Sequence, residues 1–70
     1  MFISLSGGLY MNLTQIAYFK IIENEDTARI EITTAQGHNS KIEYGGGNSR
    51  NLGDFMNDKE TITKNVEVSW

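Results

Sequence analysis

The most regular pattern in the chain is a two-residue alternation of apolar and polar side chains from Ala28 to Thr34. Ala28, Ile30 and Ile32 fall on one side of this segment, and the residues between them are charged or polar. A period of two is typical of a β-strand with one buried face. We therefore predict a strand here and expect Ile30 and Ile32 to point into the core.

Further strands are predicted where short apolar runs lie between segments of turn residues. Gly7-Gly8 suits a tight turn, and 23–26 and 36–40 are polar stretches of the same kind. The run 16–22 is largely apolar on both faces, which indicates a central strand or a strand with one face at a contact surface. The predicted strands are 2–5, 9–13, 16–22, 28–34, 41–44 and, at the end of the chain, 65–70.

A short helix is predicted near 51–60, after a glycine-rich stretch. Asn51 is a suitable N-cap, and Asp54 three residues later complements the positive end of a helix. Leu52, Phe55 and Met56 have the i, i+3, i+4 spacing of a buried stripe. We expect this stripe to hold the helix against the strands.

The order of these elements predicts a mainly β fold in a single small domain over residues 1–70. The economical arrangement is a twisted antiparallel meander of about five to six strands, closed into a small barrel or covered on one face by the helix. A domain of this size buries only about 60% of the surface of its unfolded chain. Because the chain has no cysteine, no disulfide can reinforce it, and we expect a homo-oligomer, at least a dimer.

The charge balance narrows the choice of partner. The chain carries nine acidic and six basic residues, for a net charge of −3, which disfavours nucleic acid and anionic membranes. No stretch approaches the ~20 apolar residues that cross a bilayer. The first residues lack the basic region of a signal peptide, and Gly7-Gly8 interrupts their apolar run. We therefore expect a cytoplasmic protein.

Residues 1–45 contain an apolar strand, a glycine turn, Tyr10-x-Asn12-Leu13-x-x-Ile16, an acidic turn and an alternating strand. This pattern resembles small flagellar proteins of the FlbD type and also the start of LytTR DNA-binding domains, whose fold is largely strands. The LytTR resemblance implies DNA contacts through basic loop residues, whereas the turn 23–26 is acidic. The flagellar resemblance implies a chain that ends in a helix, whereas the alternation in 65–70 predicts a strand.

No group of residues has the spacing of an active site, a cofactor site or a metal site. His38 is the one histidine, and it falls in a predicted turn rather than beside a nucleophile and an orienting carboxylate. The turn 23–26 does not follow the spacing of a calcium loop. The stretch 45–50 lacks the lysine and the glycine spacing of a nucleotide-binding loop, although an anion site there stays open. We predict a protein that is not an enzyme and needs no cofactor.

Three interpretations are open for the four aromatic residues Tyr10, Tyr18, Tyr44 and Trp70: they fill the core, they contact a protein, or they stack bases. Phe19 and Phe55 are expected in the core. Tyr18 is next to Phe19 in the predicted strand and so faces the opposite side of the sheet. The acidic stretch 23–26 suits the rim of a contact with a basic protein. The candidate contact residues are Tyr18, Trp70, Tyr10, Tyr44, Glu23, Glu25 and Asp26.

The sequence thus predicts a non-enzymatic protein-binding module that acts by occupying a partner's surface. It resembles, in its small size and acidic composition, the inhibitors and regulatory accessory proteins made by phages and mobile elements. One alternative is a small nucleic-acid-binding barrel, either similar to LytTR domains or binding single strands. A second alternative is a structural subunit of an assembly.

Overall fold

The computed structural model describes residues 1–66, which form five strands and one α-helix. Two single-turn 3-10 helices, Ser6–Gly8 and Leu13–Gln15, connect the first three strands. The elements are β1 (Phe2–Ser4), β2 (Tyr10–Asn12), β3 (Ile16–Glu23), β4 (Thr27–Thr34), β5 (Asn39–Gly45) and α1 (Leu52–Asn65). The predicted mainly β class with one short helix is confirmed.

The strands form two antiparallel sheets. β1 and β2 make a short hairpin, and β3, β4 and β5 make a meander with β4 in the middle. Within residues 1–66, the chain before β3 folds into its own hairpin and β3 lies at an edge of the meander. Of the two alternatives for 16–22, the central strand is therefore wrong, and the strand with one face at a contact surface stays a prediction. β3 buries Phe19 toward the core and leaves Tyr18 on the open face of the sheet.

The core lies between one face of the meander and a cover made of α1 and the hairpin. Ile30 is 0% exposed and Ile32 is 7% exposed, so both inward predictions are confirmed. Phe19 and Phe55 are buried as expected. The other buried apolar residues are Ile3, Leu5, Met11, Ala28, Ile42, Tyr44 and Ile62.

Helix α1 begins where the sequence predicts. The Asp54 N–H donates to Asn51 Oδ1 at 2.8 Å, and the Asp54 carboxylate accepts from the Asn51 N–H, which completes a capping box. The helix continues beyond residue 60 to Asn65, so the predicted strand 65–70 cannot begin at Asn65. The remainder of that predicted strand, residues 67–70, lies outside the described residues.

The buried stripe of α1 differs from the prediction. Phe55 is buried, but Leu52 and Met56 are exposed, and the stripe continues instead through Asp58 and Ile62. The three buried positions follow the i, i+3, i+7 spacing of one helix face. The stripe was hidden in the sequence because its middle member is a carboxylate, a residue type that is rarely buried without partners.

The chain leaves β5 through a glycine that no other residue can replace without strain. Gly45 has φ +77°, and a Cβ at this position would clash with the carbonyl oxygen of Asp26. Its N–H donates to the Arg50 carbonyl at 2.7 Å, which closes the loop between β5 and α1. The glycine-rich stretch therefore makes a defined turn that delivers Arg50 and Asn51 to the start of the helix.

Candidate functional site

The hairpin is attached to the helix and the meander through one buried carboxylate. Asp58, which is 0% exposed, accepts hydrogen bonds from the Ser6 N–H at 2.8 Å and from Ser6 Oγ at 2.7 Å. Tyr44 Oη donates to the same carboxylate at 2.8 Å, and Asn57 adds a longer bond at 3.3 Å. The turn of the hairpin, the helix and β5 thus meet at one side chain.

The hydrogen bonds keep this carboxylate charged. Burial by itself raises the pKa of Asp58, but the bonds from Ser6, Tyr44 and Asn57 outweigh burial and hold the pKa below its ordinary value. For Tyr44, burial and then the bond to Asp58 raise the pKa well above its ordinary value. At neutral pH the junction is a carboxylate that accepts from a neutral phenol, and we assign it a structural role.

On another side, the hairpin and the meander leave a groove of about 590 Å³ between them. Residues 9–12 line one wall and residues 40–43 line the other. Successive side chains of a strand point to opposite faces, so four consecutive residues can border one groove only along the edge of the strand. The two walls are therefore the edges of β2 and β5 that face away from their paired strands.

The hydrogen-bond phase of β5 shows which backbone groups face the groove. In an antiparallel pair of strands, residue pairs that exchange hydrogen bonds alternate with pairs that do not. The Thr34 N–H donates to the His38 carbonyl, so the pairs Ile32–Ser40 and Ile30–Ile42, two and four positions further along, also exchange hydrogen bonds. Lys41 and Glu43 have the opposite phase and direct their N–H and C=O groups away from β4. The outward bond from Gly45 to Arg50 has the same phase and agrees with this assignment.

The same reasoning applies to β2. The Leu5 N–H donates to the Leu9 carbonyl and the Leu13 N–H donates to the Met1 carbonyl, so Met11 exchanges bonds with β1. Tyr10 and Asn12, with the opposite phase, direct their backbone groups away from β1. Within residues 1–66, β2 pairs only with β1, and β5 pairs only with β4. Two open strand edges thus lie across the groove from each other.

The groove has an apolar floor and an aromatic lip. Met11, Ile32 and Ile42 line it from the core side. Tyr10 also lines it and is 68% exposed. Phe2, which is 67% exposed, lies diagonally across the hairpin from Tyr10 on the same face, because Phe2 pairs with Asn12. Exposed aromatic side chains beside a concave apolar surface are typical of protein contacts.

Arg50 closes one end of the groove. Its Nε is buried, and no hydrogen-bond partner for it exists among residues 1–66. The guanidinium lies against Gly7: a Cβ at that position would be 3.4 Å from Arg50 Nη2. β2 begins and β5 ends near this contact, so the two walls of the groove run in opposite directions.

The open face of the meander is the other extended surface, and it carries cations and carboxylates in nearly equal numbers. Lys20 and Lys41 both lie opposite Glu31, and Arg29 lies opposite Glu43. Arg29 Nε also contacts the Glu31 carboxylate at 2.7 Å. Tyr18, 49% exposed, sits beside these residues. Opposite charges facing each other across strands stabilise the sheet, and the three cations and two carboxylates leave a net charge of only +1 to attract phosphate.

The predicted contact residues do not form one surface. Tyr10 lies at the groove and Tyr18 on the open face, whereas Tyr44 is 0% exposed and belongs to the core, the first of the three interpretations of the aromatics. Trp70 lies outside the described residues.

The acidic turn is exposed, as expected for a hairpin tip. Glu25 and Asp26 lie in the turn between β3 and β4. Glu23 ends β3 and forms an ion pair with Lys59 of the helix. The turn is thus tied at one side to α1 rather than projecting freely toward a partner.

Sequence reasoning missed the groove residues Asn12, Lys41, Glu43 and Arg50. No pattern marks the first three, because their part in the groove comes from backbone direction and from the absence of a neighbouring strand. Arg50 carried a faint signal, since it ends the glycine-rich stretch for which an anion site stayed open.

The other kinds of site considered from the sequence are not assembled within residues 1–66. His38 is exposed in the turn between β4 and β5. Over residues 1–66, no three histidine or carboxylate side chains come together as a metal site would require. The helix in this part of the chain is too short and too polar to span a membrane.

Comparisons with protein-family models, with curated proteins and with solved structures gave no match. The resemblances to FlbD-type flagellar proteins and to LytTR domains therefore stay predictions from sequence.

Proposed function

We propose that this protein is a non-enzymatic protein-binding module that holds an extended segment of a partner in the groove between β2 and β5. The observation that carries the proposal is the pair of open strand edges facing each other across an apolar floor. An extended peptide can add to such an edge through main-chain hydrogen bonds, while alternate side chains enter pockets beside it. Here an inserted strand has an edge on each side.

The geometry also limits what the inserted segment looks like. The walls are about four residues long, which corresponds to roughly 13 Å of extended chain. Because the walls run in opposite directions, the segment is antiparallel to one strand and parallel to the other. Every second side chain faces Met11, Ile32 and Ile42, so we expect apolar residues at alternate positions of the segment.

The groove edges of β2 and β5 have features that disfavour unspecific pairing with other strands. β2 has three residues, and β5 carries the charged side chains Lys41 and Glu43 at its edge. Short edge strands and edge charges suppress uncontrolled association. Tyr10 at the groove, with Phe2 diagonally behind it on the same face of the hairpin, provides the aromatic surface on which binding free energy usually concentrates. An inhibitor or regulatory protein built this way would act by sequestering a short segment of its target.

The test begins with a displayed library of random short peptides, selected on the whole protein and then analysed by amide hydrogen exchange. We expect the selected peptides to slow exchange at Tyr10, Asn12, Lys41 and Glu43. Protection confined to the open face around Tyr18, or no peptide binding tighter than about 100 μM, would contradict the proposal. If concentration alone protects these amides, the groove is occupied by a second copy of the chain and the heterologous partner is wrong.

A pair of proline variants provides a matched control. Glu43→Pro removes an N–H that faces the groove, whereas Glu23→Pro removes an N–H at the far edge of the meander. The bond from the Asn24 N–H to the Thr27 carbonyl sets the phase of β3 and directs the Glu23 N–H away from β4. Proline is tolerated where an edge N–H has no partner in the sheet. We expect Glu43→Pro to weaken selected peptides about tenfold or more and Glu23→Pro to leave them unchanged.

A further inference from the structure

We infer that the groove selects a segment carrying a carboxylate, which Arg50 receives at the end of the groove. This inference rests on the proposed function and adds the chemistry of the partner. It starts from a cation whose Nε is buried and unpartnered within the described part of the chain. A buried donor without an acceptor is costly, so a site that presents one favours a ligand that supplies the acceptor.

Arg50 is a cation that forms no ion pair within residues 1–66, and it shares this property with Lys20. Arg29, Lys41, Lys59 and Lys64 each form an ion pair. Within residues 1–66, no carboxylate comes within ion-pair distance of Arg50, and Lys20 on the open face lies opposite Glu31. At the groove, Lys41 and Glu43 offset each other at 3.8 Å. Among the charged side chains that line the groove, Arg50 is therefore the one without an ion pair inside residues 1–66, although the chain as a whole is acidic.

The guanidinium also lies against a part of the hairpin whose position is fixed. It lies between the loop that follows β5 and the turn of the hairpin, where Gly7 has φ +71° and no side chain to displace it. The turn itself is fixed by the bonds from Ser6 to Asp58. A planar guanidinium beside this fixed turn suits a carboxylate, which it can bind through two parallel hydrogen bonds.

Two sources of carboxylate reach such a site on an extended segment: an aspartate or glutamate side chain, or the carboxyl terminus of the segment. Peptides from the library are therefore synthesised as free acids and as carboxamides, each with its acidic residues intact or changed to the corresponding amides. Binding of the four forms is measured against the unaltered protein, Arg50→Gln, Arg50→Lys and Lys20→Gln. Lys20→Gln removes the same charge from the open face and is the matched control.

We expect removal of one carboxylate to weaken binding to the unaltered protein at least about tenfold and to have little effect on Arg50→Gln. The form that shows this coupling identifies the source. Arg50→Lys should recover only part of the affinity, because lysine cannot form the paired bonds. Lys20→Gln should behave like the unaltered protein.

The inference and the proposed function fail in different ways. If peptides protect the groove amides but neither carboxylate couples to Arg50, the carboxylate inference is wrong and the groove remains a peptide site. If no peptide protects the groove amides, both are wrong. A melting temperature that collapses in Arg50→Gln and Arg50→Lys alike would assign Arg50 to the packing of the two loops and would also overturn the inference.

Discussion

Besides its packing on the core, the hairpin meets the rest of the molecule at two junctions that are opposite in character. At the first, Ser6 and Tyr44 donate their hydrogen bonds to the buried carboxylate of Asp58. At the second, β2 faces β5 across a groove, and the backbone groups along both edges have no partner strand in residues 1–66. The first junction contributes to the stability of the fold, and the second presents backbone N–H and C=O groups that can bond an added strand.

The difference indicates how a small domain can keep an open groove. A gap between two strands tends to close by collapse unless another contact holds the strands apart. The Asp58 junction fixes the turn of the hairpin to the helix and so sets the position of β2 independently of the groove. A preformed groove lowers the entropy cost of ordering a bound segment. Substitutions at the two junctions should therefore separate stability from binding.

The largest effect is expected for Asp58→Ala. The change leaves the Ser6 N–H and the Tyr44 hydroxyl buried without their acceptor, and we expect a loss of about 3 kcal/mol or more in the free energy of unfolding. This is a large share of the stability of a domain of this size. Chemical denaturation measures the loss. Glu60→Ala, an exposed site on the same helix, is the control and should leave the melting temperature unchanged.

Tyr44→Phe should have a smaller effect. The ring still packs edge-on against Phe55, with 5.3 Å between ring centres, but the hydrogen bond to Asp58 is lost. We expect a cost of about 1–2 kcal/mol. Combining this change with Asp58→Ala should give less than the sum of the two costs, because both remove the same bond. Additive losses would show that the phenol and the carboxylate act separately.

The pH dependence tests the charge of the first junction. The pKa of Asp58 is lower in the folded protein than its ordinary value of 3.8, so the unfolded chain binds the proton more readily. The stability contributed by this group is present above pH ~4 and is lost as the pH falls through the folded pKa. Asp58→Asn should flatten the acid limb of a plot of stability against pH. An unchanged acid limb in that variant would mean that other carboxylates account for it.

The smallest effect on stability belongs to the second junction. Tyr10 is exposed at the lip of the groove, so Tyr10→Ala should change the free energy of unfolding by no more than about 0.5 kcal/mol. The same change should weaken a groove-bound peptide, because it removes aromatic contact area. Calorimetry with a selected peptide measures both quantities on one sample. A large loss of stability would place Tyr10 in the structural part of the hairpin.

Local patterns in the sequence predict local structure well. The alternation around Ile30 gives β4 and its buried face, and Asn51 with Asp54 gives the start of α1. The Asp58 junction could not be predicted, because Ser6 and Asp58 are 52 positions apart and neither carries a distinguishing neighbour. The groove is harder still, since it depends on two strands that fail to pair, and pairing is a property of the whole fold.

The long separation between Ser6 and Asp58 also bears on how the molecule is assembled during synthesis. The hairpin residues leave the ribosome before their anchor in α1, which follows roughly 3–10 s later at about 5–20 residues per second. During that interval β1 and β2 have no fixed position, since an isolated two-stranded hairpin is marginally stable at best. We therefore expect the groove to form only when α1 docks, and a nascent chain should be unable to bind a groove peptide before then.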